Sequence, residues 1–132
     1  MDERLRSVVN DLRKKSYSEA AGWLIQQYPA GSPRSGEAIV ILAHLSWKRA
    51  EQVRLAEHYL SDLPFAHARP YETFASFMKV RYLVDILRKH IPSDRQRKQL
   101  LEYHAAPVLN RAAKTTEDRE AVRRFLEELK IG

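Results

Sequence analysis

Apolar residues recur along this chain at intervals of three and four, and six prolines cut the pattern into short lengths. Leu5, Val8, Val9 and Leu12 repeat at helical spacing, and no stretch shows sustained period-two alternation, so helices are expected and a sheet is not. A proline has no amide hydrogen and its ring clashes with the preceding turn, so each one inside a helical pattern ends or bends it. The result is an all-α chain of about six or seven short helices in antiparallel hairpins, either helical-repeat-like or an irregular bundle.

The expected elements follow from caps and breakers. A first helix covers about 3 to 15. Ser16 with Glu19 three residues on is a capping box that opens a second, through Trp23, Leu24 and Ile25 to a stop before Pro29. "PAGSPRSG", 29 to 36, is a loop. The stripe from Glu37 to Leu63 reads as one long helix or as two that break near Ser46 to Lys48. Pro70 suits the first turn of the next helix, where Phe77, Val80, Val84, Leu87 and Ile91 form a stripe, with Tyr82 and Ile86 on another side. A helix apolar on two sides is central in its fold. Ser93 with Gln96 predicts a further cap, Pro107 predicts a bend or stop, and Thr115 or Thr116 caps a last helix carrying Val122, Phe125, Leu126 and Leu129.

At 132 residues the chain makes one domain, 1–132, able to bury roughly two thirds of its unfolded surface. Prolines 29, 64 and 92 each follow an apolar residue at a helix end, near the period of helical-hairpin repeats. The tetratricopeptide pattern fits no register of 33–66 at more than a few positions, so the likeness is one of architecture only. The absence of cysteine excludes disulfides and thiolate chemistry and suits a reducing compartment. With an acidic start instead of a signal peptide, and no apolar run long enough to cross a bilayer, a cytoplasmic protein without a membrane partner is expected.

Catalytic patterns do not emerge. His44 and His58 are about four helical turns apart if one helix joins them, too far for a shared ion. His58 with Asp62 at i, i+4 finds no further ligand motif. Neither G-x-S-x-G nor S-x-x-K occurs, and the glycine loop lacks the Gly-Lys-Ser/Thr of a phosphate cradle. We therefore expect a non-enzymatic protein with no metal and no cofactor. Most carboxylates have cations at helical spacing: Asp85 with Arg81 and Lys89, Glu102 with Lys98, Glu127 with Arg123, Glu128 with Arg124.

Charge is the more informative signal. The net charge is +6, and residues 79–98 hold seven basic and two acidic residues while the flanking segments are nearly balanced. Lys79, Arg81, Arg88, Lys89, Arg95, Arg97 and Lys98 are the candidate anion-binding or partner-binding residues. Arg95, Arg97 and Lys98 fall in the first turns of a helix, the positive end of its dipole, where acids are favoured. Arg88, Arg95 and Arg97 are read as having no acid three or four residues away, which points to an external phosphate or carboxylate. Trp23, beside Gly22 in a helix, and Trp47, Tyr59, Tyr71, Phe74 and Phe77 are expected in the core or at helix seams; within 79–98 Tyr82 alone suits base stacking. The expected function is a protein-protein interaction module, alone or as a subunit of a larger assembly. The alternative is an accessory protein that binds nucleic-acid backbone without reading sequence, through the tip at 79–98.

Overall fold

The computed structural model describes residues 1–131. Among them are eight α-helices and no strand: α1 (Glu3–Arg13), α2 (Tyr17–Gln27), α3 (Ser35–Ala43), α4 (Arg49–Tyr59), α5 (Arg69–Phe77), α6 (Val80–Arg88), α7 (Arg95–Ala112) and α8 (Thr116–Glu128). None is long and apolar enough to cross a membrane.

The caps explain several boundaries. Asp2 accepts the Leu5 amide and starts α1, Ser16 accepts the Glu19 amide and starts α2, and Thr115 accepts the Asp118 amide and starts α8. The 37–63 stripe divides into α3 and α4 at 44–48. There the Trp47 indole N–H donates to the Leu42 carbonyl at 3.3 Å, and the Gln52 amide donates to the Trp47 carbonyl at 2.8 Å. Side chains thus supply the partners that an unbroken helix would have supplied from its backbone.

Three expectations need correction. The stripe from Phe77 to Ile91 is not one helix, because Met78 and Lys79 are extended and separate α5 from α6, which raises the count to eight. The cap of α7 is Asp94, whose carboxylate accepts the Arg97 amide, and not Ser93. Pro107 neither stops nor divides α7. The amide hydrogen it lacks would have gone to the Tyr103 carbonyl one turn earlier.

Packing follows a simple order. α1 lies against α3, α3 against α5 and α5 against α7; α2 lies against α4, α4 against α6 and α6 against α8. Odd and even helices therefore form two rows, joined where α4 meets α5, α5 meets α6 and α7 meets α8. Leu24, Leu42, Leu55, Phe74, Leu83 and Leu109 are fully buried between the rows. Each such side chain contributes about 1.5–3 kcal/mol relative to an exposed one. α6 buries Val80, Leu83, Val84, Ile86 and Leu87, as a helix flanked on both sides must. Gly22 sits where a Cβ would stand 3.4 Å from the Arg54 guanidinium of α4, so the helix facing it presents a flexible side chain there.

Candidate functional site

The row order gives the molecule two edges. The turns within pairs, 14–16, 44–48, 78–79 and 113–115, lie along one; the connections between pairs, 28–34, 60–68 and 89–94, lie along the other. Side chains record this alignment. At the first edge Arg13 reaches the His44 carbonyl, Lys48 lies 5.4 Å from the Tyr17 ring centroid, Arg49 lies 5.1 Å from that of Tyr82, and Arg81 pairs with Asp118. At the second edge Arg4 pairs with Glu37, Lys89 with Glu57, and Arg88 with Glu128.

The seven candidate residues do not form one free tip. Arg88 Nε donates to both carboxylate oxygens of Glu128 in α8, at 2.8 and 3.1 Å, and its Nη1 lies 3.3 Å from Asp85. Lys89 Nζ donates to Glu57 of α4 at 2.6 Å, with the His90 ring nitrogen 3.5 Å from the same carboxylate. Lys89 is the main reason the Glu57 pKa lies below the ordinary carboxylate value. Arg97 donates to the Leu63 carbonyl at 3.2 Å and stands 3.9 Å from Asp94, and Lys98 donates to the Ile131 carbonyl at 2.9 Å. Arg81 pairs with Asp118 at 3.2 Å. Among the described residues Lys79 and Arg95 make no ion pair, and they lie on opposite edges.

The expectation that Arg88 and Arg97 lack acid partners is therefore incorrect. Asp85 and Asp94 stand three residues before them, and Glu128 adds a partner from another helix. The other helical pairings also shift: Arg123 does reach Glu127 at 2.7 Å, but Arg124 pairs with Glu120 because Glu128 is taken by Arg88. Arg88, Arg81 and Lys89 thus tie α6 to its neighbours on both sides. Each exposed pair is worth about 0–1 kcal/mol.

A different surface gathers six further cations without carboxylate partners. Lys14 and Lys15 stand at the first turn of the within-pair edge, Lys48 and Arg49 at the second, Lys79 at the third and Lys114 at the fourth. All six are exposed and, among the described residues, none has a carboxylate within 4 Å. Lys48 and Lys79 are the N-cap residues of α4 and α6 and offer those helices no side-chain acceptor. Local stability favours Ser, Asp or Asn there by about 1 kcal/mol. Tyr17, 42% exposed, lies among these cations beside a cleft of about 480 Å³ lined by Arg13, Lys15, His44 and Trp47. Only Lys79 and Arg81 of this edge fall inside 79–98; the rest are scattered through sequence and have no local signal.

A third surface is the outer side of α7, which packs on α5 and α8 and is open elsewhere. Leu100, 39% exposed, Tyr103 and Pro107 follow one another there at spacings of three and four. Trp47, Tyr59, Tyr71 and Phe74 are buried in the core, Phe77 and Trp23 pack half-buried against it, and Tyr82 is half-buried under Arg49. His58 faces the Tyr28 carbonyl at 3.4 Å, and no group of three or more His, Asp or Glu side chains among the described residues is placed to hold a metal ion. Comparison of the chain with protein-family models, with curated proteins and with solved structures finds no match.

Proposed function

We propose that this protein is a non-enzymatic, helical-repeat-like interaction module that docks another polypeptide on the open side of α7. The observation that carries the reading is the run of Leu100, Tyr103 and Pro107 on that side. An exposed tyrosine and leucine at helical spacing cost nothing in the free protein but offer an anchor to a partner, since aromatic side chains dominate binding hot spots. A following helix of the odd row would lie on this face, so an amphipathic helix of the partner is the fitting occupant. Arg95 and Arg111 flank the stripe and are exposed, which favours acids beside the partner's apolar residues. A second copy would bring the same cations face to face.

The test is recovery from the native cell of the wild-type protein and of Tyr103→Glu, at low and high salt and with nuclease. Tyr103 is largely exposed, so the variant folds. A partner protein kept by the wild type at high salt and after nuclease, and lost from the variant, is the expected result. The same proteins recovered with both forms overturn the proposal.

A further inference from the structure

We infer that the edge formed by the four within-pair turns binds single-stranded nucleic acid, with phosphates on Lys15, Lys48 and Lys79 and a base stacked on Tyr17. The inference concerns a surface distinct from the α7 face and does not depend on it.

Four observations converge. First, Lys14, Lys15, Lys48, Arg49, Lys79 and Lys114 sit on consecutive turns, not in one patch. Neighbouring packed helices lie about 8–10 Å apart, so the row spans roughly 25–30 Å. A rigid line of regularly spaced positive charge matches a backbone that repeats a negative charge at every step. Second, these side chains lack internal carboxylates; Arg6, Arg69, Arg95 and Lys130 are unpaired at the opposite edge too, but there Arg4, Lys89 and Arg88 are held by Glu37, Glu57 and Glu128, and among the described residues none of the four unpaired cations lies over an aromatic ring. Third, Lys48 and Lys79 stand at helix N-termini, where they act against the helix dipole. A phosphate between them relieves that repulsion and meets the free amides of the first turn.

Fourth, an aromatic ring is interleaved with the cations. Tyr17 is exposed, has Lys48 on its face and borders the 480 Å³ cleft. A flat, sequence-tolerant stacking surface next to basic side chains is what single strands use, and what an acidic peptide does not need. A duplex keeps its bases stacked on one another and cannot offer one to Tyr17. The carboxylates near this edge are Asp11, Glu19, Glu51, Glu117 and Asp118; Asp118 is paired with Arg81, Asp11 and Glu19 border the same cleft as Lys14 and Lys15, and Glu51 lies in the first turn of α4. The strand runs over the turns before α2, α4 and α6, where Lys15, Lys48 and Lys79 stand.

The experiment measures fluorescence polarisation of a labelled twelve-nucleotide oligothymidylate against the full chain over a salt series. The triple variant Lys15→Glu, Lys48→Glu, Lys79→Glu removes three phosphate contacts. It lowers the slope of log affinity against log salt by about 2, at about 0.7 per contact for a single strand. Acids at the two N-cap positions favour their helices, so the triple variant folds. Arg6→Glu, Arg69→Glu, Lys130→Glu changes net charge equally away from this edge and keeps the slope. Tyr17→Ala weakens the single strand about tenfold and leaves a duplex of the same length unchanged. Tyr103→Glu changes neither. The inference is overturned by no binding at low salt, by equal loss in the charge-matched control, by a duplex bound more tightly than the strand, or by polyglutamate displacing the probe as well as unlabelled oligonucleotide does.

Discussion

Arg88 decides whether the basic stretch in the middle of the chain is held internally or is free, and a double-mutant cycle with Glu128 measures which. The guanidinium Nε lies 2.8 and 3.1 Å from the two Glu128 oxygens, and both side chains are 38% exposed. Two unit charges 4 Å apart attract by about 1 kcal/mol in water and about 4 kcal/mol at a protein-surface effective dielectric of about 20. Fixing two long side chains costs up to about 1.5–2 kcal/mol each. Solvent screening at this exposure reduces the gain further. Asp85, 3.3 Å from Nη1, keeps part of the attraction when Glu128 is removed. The expected coupling is about 0.5 kcal/mol in 0.1 M salt, from urea unfolding of wild type, Arg88→Ala, Glu128→Ala and the double variant. Helix-propensity effects cancel in the cycle. In 1 M salt, where the screening length is about 3 Å, the coupling falls towards zero. A coupling of zero at low salt would return Arg88 to the pool of free cations and refute its role as a tie between α6 and α8. One above about 2 kcal/mol would mean the pair is far less hydrated than its exposure shows.

Two further outcomes test the packing and the electrostatics. Gly22→Ala raises stability by about 0.5–1 kcal/mol in denaturant titration, because a mid-helix glycine costs that much against alanine and the new methyl meets only the mobile end of Arg54 at 3.4 Å; destabilisation would show that α2 and α4 cannot yield. Glu37 is held at about 2 instead of 4.5, first by its bond to Arg4 and then by Arg34 and Tyr28. Its folded pKa is depressed, so its contribution is complete above pH 4.5 and disappears as the pH falls through 2. The unfolding midpoint of the wild type therefore drops more steeply over that window than that of Glu37→Gln, and parallel profiles would remove Glu37 from the account.

Helix identity was legible where the signal is local. The Ser16 and Thr115 caps and the 29–36 loop rest on local residues, while 37–63 read equally as one helix or as two and the fold decides for two. The break at Met78–Lys79 was hidden, since no glycine or proline marks it and the apolar stripe runs across it. Pro107 was expected to bend or stop the helix, and α7 does not stop there; whether a proline ends a helix depends on what surrounds the turn before it, which is a tertiary property. Ion pairing was read over three and four residues, whereas Arg88 finds Glu128 forty residues away and Lys89 finds Glu57 thirty-two residues back. Those partners exist only once helices alternate between two rows. The same alternation brings Lys15, Lys48 and Lys79 onto one edge beside Tyr17, though nothing in their spacing announces it.

Since the main packings of each row join a helix only to its next neighbours, the molecule has no single keystone. Contacts that close short stretches of chain form quickly, and assembly can begin at any adjoining pair and spread outwards. The terminal pairs, supported on one side, are the first to open under stress while the middle persists. Amide protection should grade from the ends towards α4–α6, and a lesion in α1 should loosen its own neighbourhood long before it reaches α8.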